Sequence, residues 1–181
     1  MKNKKNITLL LIVIFTITSV SAQEFPEKQL MRKLKACKIE MDEGNGDGVF
    51  KAQSIKSKKW GMYQWMYKGT KVLEMIPMEY DSVDYFPFNG NFTAVYNNDK
   101  IGIYLCKWTY DDDAKQTVPC EYEDYKRFNV RDADYSSTTY LAMKKNGKWG
   151  WVDWFTGKEK TEFIYDTADD VPYPDFEQKY W

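Results

Sequence analysis

The stretch NGKWGWVDWFTGK, residues 146–158, sets three tryptophans between two glycine-bearing turn signals. Asn146-Gly147 is the dipeptide a type I′ hairpin prefers, because both central residues of that turn need positive φ. The flanks, Tyr140 to Met143 and Trp149 to Trp154, are short and rich in aromatic and aliphatic side chains, as strands are. Thr156-Gly157 supplies a second turn. The stretch therefore predicts two strands, a turn and a third strand. It also poses a question: are its aromatics a binding surface, or do they hold the fold together?

The pattern recurs along the chain. Lys145-Asn146-Gly147-Lys148-Trp149-Gly150 aligns with Asn97-Asn98-Asp99-Lys100-Ile101-Gly102, and an earlier copy ends in Lys58-Lys59-Trp60-Gly61. Phe50-Lys51-Ala52, Phe92-Thr93-Ala94 and Tyr140-Leu141-Ala142 precede the three anchors Trp60, Ile101 and Trp149. A tyrosine among acids follows each: Glu79-Tyr80-Asp81, Glu121-Tyr122-Glu123 and Ile164-Tyr165-Asp166. Pro77 and Pro119 precede the first two tyrosines, and lacking an amide donor they suit the end of a third strand. Lys68-Gly69 supplies the second turn of the first copy, ahead of Val72 to Ile76. Each glycine after an anchor, Gly61, Gly102 and Gly150, allows a neighbouring backbone or ring to come close. A small meander cannot bury its own aromatics and edges, so the copies are expected to stack.

This register resembles the WG-repeat family, most closely at Asn146-Gly147-Lys148-Trp149-Gly150 with Thr156-Gly157-Lys158, and at Ile76-Pro77-Met78-Glu79-Tyr80-Asp81. The second copy departs, with Ile101 in place of tryptophan and an acidic turn. The resemblance implies an all-β chain of tandem three-stranded antiparallel meanders, with binding or scaffolding more than a reaction. The expected organisation is a leader over 1–22, a helix and loop over 23–47, and repeats over 48–90, 91–138 and 139–181. The second repeat carries an acidic insertion. The third ends in a terminal strand over 176–181.

Lys2, Lys4 and Lys5 precede an apolar run from Ile7 to Val20 that ends in Ser21-Ala22, the pattern of a cleaved secretory leader. The expectation is export to the periplasm or beyond, without a spanning helix. Cleavage would remove three lysines and no acid, making a chain of net charge −1 more acidic. Acidity disfavours nucleic acid as a partner, since that binding rests on clustered positive charge. Aromatic residues make up 17% of the chain, which excludes the disordered and low-complexity classes. Pro26-Glu27 reads as a helix start. Leu30, Leu34, Cys37 and Met41 then line one face of an amphipathic helix capping the first repeat. Its basic face reads as solvated surface, or as a contact for a membrane surface or an acidic partner.

There is no histidine. Ser-His-Asp and Cys-His nucleophilic sites, His-ligated zinc and the His general base are all excluded at once. Glu43-Gly44-Asn45-Gly46-Asp47-Gly48 imitates a calcium loop but has Glu43 at its first position and Ser54 at its twelfth, so it reads as a turn. Asp111-Asp112-Asp113 reads as a solvated acidic turn. Asp81 and Asp166 could serve as the opposed acids of a glycosidase, but they recur in register with the repeat tyrosines and read as structural. Of the three cysteines, Cys106 and Cys120 flank one hairpin and are the expected disulfide, with Cys37 buried on the helix.

Trp65, Trp108 and Trp154 are the candidates for an exposed binding surface. Trp65 and Trp154 recur at one offset from their anchors and read as core more than as site, which leaves Trp108 and the second repeat as the better place to look. Trp60, Gly61, Ile101, Gly102, Trp149, Gly150, Tyr80, Tyr122 and Tyr165 are the expected structural anchors. The resulting expectation is an exported, non-catalytic module that binds a protein partner, with no metal and no cofactor. The alternatives are a carbohydrate-binding module using exposed tryptophans and a carboxylate-based hydrolase.

Overall fold

A computed structural model describes residues 26–41, 48–66, 71–85, 92–106, 114–131 and 137–174. The leader, Lys68-Gly69, Trp108, Asp111 to Asp113 and residues 176–181 lie outside them, as does all of the Glu43–Gly48 stretch except Gly48. The described chain is mostly β, with three antiparallel sheets and one α-helix, α1 (Glu27–Leu34). The first sheet has the order β1 (Ala36–Met41), β2 (Val49–Ser54), β3 (Trp60–Trp65), β4 (Val72–Tyr80). The second runs β5 (Ser82–Val83), β6 (Phe92–Asn97), β7 (Lys100–Leu105), β8 (Lys115–Tyr122). The third runs β9 (Asp124–Arg131), β10 (Ser137–Lys145), β11 (Lys148–Val152). Among the described residues no helix is long and apolar enough to cross a membrane.

The turns are those their residues demand. Asn146 and Gly147 have φ of 52° and 75°, and Asn98 and Asp99 have 51° and 57°, the two positive values a type I′ turn requires. In the first sheet the corresponding connection is longer, with Ile55 to Lys58 between the paired Ser54 and Lys59. That difference flips a face. Phe50 and Ala52 pack with α1, whereas Phe92 and Ala94 face the third sheet, although the sequence aligns them. A one-residue slip in a period-two element exchanges its two sides.

Four apolar layers alternate with the sheets. Leu30 of α1 meets Ala36, Phe50, Tyr63 and Trp65 on the outer face of the first sheet. Val49, Met62, Ile76 and Tyr80 meet Val95, Tyr104 and Cys106 of the second. Ile101, Ile103, Val118 and Tyr122 of the second meet Leu141, Met143, Val152 and Trp154. Tyr140, Trp149 and Trp151 are covered by Ala168 and Val171, the former in a single 3₁₀ turn, Ala168–Asp170. The order is helix, sheet, sheet, sheet, 3₁₀ turn.

Three expectations change. The helix stops at Leu34, because Lys35 takes the left-handed conformation with φ 53° and Ala36–Met41 becomes the edge strand β1. Cys37 is therefore an exposed strand residue and not a buried helical one. Pro77 and Pro119 lie inside β4 and β8 instead of ending them. Trp60 faces Tyr80 while Met62 faces Ile76, so residues 77–79 bulge against Gly61, and residues 119–121 bulge against Gly102 in the same way. A bulge tolerates a residue without an amide donor. Finally, among the described residues the third sheet has no regular strand after β11, where the bridges Val152 with Glu159 and Trp149 with Tyr165 stand instead.

Candidate functional site

The anchors and tyrosines meet across each sheet. Trp60 pairs with Tyr80, Ile101 with Tyr122 and Trp149 with Tyr165. The lysine before each anchor reaches the acid after each tyrosine. Lys59 to Asp81 is 2.7 Å, Lys100 to Glu123 is 3.2 Å and Lys148 to Asp166 is 2.5 Å. The first two acids also reach forward. Asp81 accepts the amide of Asn98 at 2.8 Å, and Glu123 accepts that of Gly147 at 2.9 Å. Each of these carboxylates thus ties the lysine of its own sheet to the hairpin turn of the next. We call the set of lysine, anchor, tyrosine and acid in one sheet a rung.

The glycines make the rungs possible. A Cβ on Gly61 would stand 2.6 Å from the Ile76 carbonyl oxygen, and one on Gly102 would stand 2.5 Å from that of Val118. Only a residue without a side chain lets the bulged strand lie so near, and the bulge is what returns each tyrosine opposite its anchor.

Between the first two rungs lies a cleft of about 440 Å³ lined by Asp81, Ser82, Asp84, Tyr96, Asp99, Ile101 and Glu123. The corner after β4 supplies Asp81, the corner after β8 supplies Glu123, and the β6–β7 turn supplies Asp99. Tyr96 donates its hydroxyl proton to Asp84 at 2.6 Å. Burial first, and then that bond, raise the phenol far above its ordinary value, so Tyr96 stays protonated. Lys59 and the Asn98 amide hold Asp81 below the usual aspartate value. The Gly147 amide and Lys100 do the same for Glu123. Both remain ionised at neutral pH. A glycosidase needs one carboxyl raised to act as the acid, and the two perturbed carboxyls here are both lowered. Asp166 pairs with Lys148 and does not line this cleft, so it does not oppose Asp81 there. Among the described residues no group of three or more acidic, cysteine or histidine side chains is arranged to hold a metal.

Of the three candidate tryptophans, Trp65 and Trp154 are interior and Trp108 lies outside the described residues. Trp65 is 6% exposed beneath α1, and Trp154 is 1% exposed between the second and third sheets. Trp154 donates its indole N–H to the Thr139 carbonyl at 3.0 Å and stands edge-on to Phe92 at 4.2 Å between centroids. Neither offers a ring face to a sugar. Trp151 is also buried, its N–H given to Pro172 O at 2.6 Å. Trp60 is half-buried with Lys38 and Lys51 over its ring.

The expected disulfide does not form. Cys37, Cys106 and Cys120 are free thiols. Cys120 lies against Gly102, whereas Cys106 lies four residues beyond Gly102 along the β7 direction, a rise of roughly 13 Å. A disulfide needs Cα atoms within about 7 Å. Burial pushes the Cys106 thiol far up, which keeps it protonated and inert.

Reading the sequence alone missed the three lysines and the turn amides. The signal was present, since a lysine precedes each anchor and an acid follows each tyrosine. Comparison with protein-family models, curated proteins and solved structures finds no match for this chain.

Proposed function

We propose that this is an exported, non-catalytic protein of three tandem WG-type meander repeats, and that it works by presenting the polar rim of its stack to a protein partner. The observation that carries this reading is the rung: lysine, anchor, tyrosine and acid in the same pairing in all three sheets. Repetition with this fidelity is what a quasi-one-dimensional stack requires of each unit and its neighbour. Trp65, Trp151 and Trp154 are spent on the interior, and the described rim around the rungs is charged. The cleft, with its ionised carboxylates and the exposed Asp99, suits a partner that offers basic groups. The leader pattern supports work in the periplasm or outside the cell.

Photo-crosslinking tests this. A crosslinking residue at Ser82 or Asp99 should trap one discrete protein in the exported fraction, and Asp99→Lys should weaken the yield. Failure to trap any protein from either position, or protection of tryptophan fluorescence by an oligosaccharide, would count against the reading.

A further inference from the structure

The rungs differ in one respect. Asp81 and Glu123 each accept an amide from the turn of the following sheet, but among the described residues none gives its amide to Asp166. Its side chain is 83% exposed, and among the described residues Lys148 is its one charged partner. Ile164, two residues before it, is 57% exposed, and Glu162 and Asp170 within four residues of it are exposed too.

At the opposite end of the same rim stands the first turn. Among the described residues no acid from an earlier element accepts its amides, and those at Lys56 and Ser57 turn instead to Ser54 Oγ, at 3.3 and 3.2 Å. Its side chains are left outward. Lys56 and Lys58 are exposed, and Ile55 is 56% exposed. Lys28, Arg32 and Lys35 of the adjoining helix segment add positive charge against one acid, Glu27. The stack thus has a basic end and an acidic end, each with an exposed isoleucine.

We propose that the acidic end of one molecule receives the first turn of a second copy, head to tail, with Lys56 and Lys58 of the incoming copy at Asp166 and its neighbours. This sets the first turn of one molecule beyond Asp166 as the second turn lies beyond Asp81 and the third beyond Glu123, with lysine side chains in place of the turn amides that Ser54 already holds. The inference rests on the repeat reading above and gives the rim one partner. Because α1 already covers the apolar face of the first sheet, the contact is confined to the rim and its isoleucines. A small, charged contact is weak and sensitive to salt. The relation is heterologous, so it does not close on itself in pairs.

Sedimentation velocity of the mature chain over a range of concentrations provides the test. Association should grow with concentration and recede on going from low to high salt. K56E/K58E should weaken it at least about tenfold, since like charges set face to face cost several kcal/mol. D166K should do the same, and E162K/D170K provides a second acidic-end variant that leaves the Lys148 pair intact. Neither altered chain should associate alone, whereas a basic-end and an acidic-end variant mixed together should associate, since each keeps one native end and the two reversed ends again carry opposite charge. A chain that stays monomeric throughout, or association indifferent to these reversals, overturns the proposal. Monomeric behaviour would leave the partner reading standing, since crosslinking from the cleft tests that separately.

Discussion

Glu123 shows how much one side chain carries. It takes Lys100 from its own sheet and the Gly147 amide from the next. Both interactions favour the ionised form, so its folded-state pKa lies below its unfolded one. A depressed carboxyl contributes stability that is whole above the unfolded value and is lost as pH falls through the folded one. Asp81 has the same sign for the same kind of reason. The denaturation midpoint of the wild type should therefore be level near neutrality and decline below about pH 4, where such groups titrate. Glu123→Gln should lower the midpoint near neutrality and flatten the decline. Equal acid sensitivity in both proteins would show that the rung contributes nothing. The glycine beside it is stricter. Gly102→Ala places a methyl 2.5 Å from a carbonyl oxygen, so an unfolding titration should register a loss of about 1–3 kcal/mol. This residue's role was legible from its place after each anchor. The lysine's was not, because a turn lysine reads equally well as solvated.

At the scale of elements, legibility followed local chemistry and failed where a neighbour decided. Asn146-Gly147 specifies its turn without help from the rest of the chain. The apolar spacing of Leu30, Leu34, Cys37 and Met41 fits a helix, yet the chain leaves α1 at Lys35 because β2 offers an unpaired edge that Ala36–Met41 completes. The recurrence of Trp65 and Trp154 at one offset from their anchors suits a surface or a core. What covers them, α1 over Trp65 and the second sheet over Trp154, is distant in sequence and shows in no short window, and it makes them core. Trp154 bridges the second and third sheets, against Phe92 and beneath the Thr139 carbonyl. Trp154→Ala should cost about 3–5 kcal/mol, the usual loss for a large buried aromatic. Trp154→Phe should cost less, keeping much of the packing and losing the hydrogen bond. If chemical denaturation finds the two equally mild, the indole is not what joins those sheets.

The whole molecule is a stack whose layers are not equivalent. The two interior layers are walled by sheets on both sides, whereas the outer two are closed by an eight-residue helix at one end and a three-residue 3₁₀ turn at the other. In a nearest-neighbour array the end units have one interface in place of two, so they open at lower free energy. The edge strand β1, paired on one side and interrupted by a register shift between Ala36 and Lys38, should open first. Hydrogen exchange followed by mass spectrometry should then rank β6, β7 and β10 as the slowest peptides and β1 with α1 as the fastest. Glu123→Gln should speed exchange in β10 and β11 more than in β2 and β3, because it loosens one joint. Uniform acceleration along the chain would mean instead that the three sheets unfold as one block, with the rungs acting inside it and not between separable units.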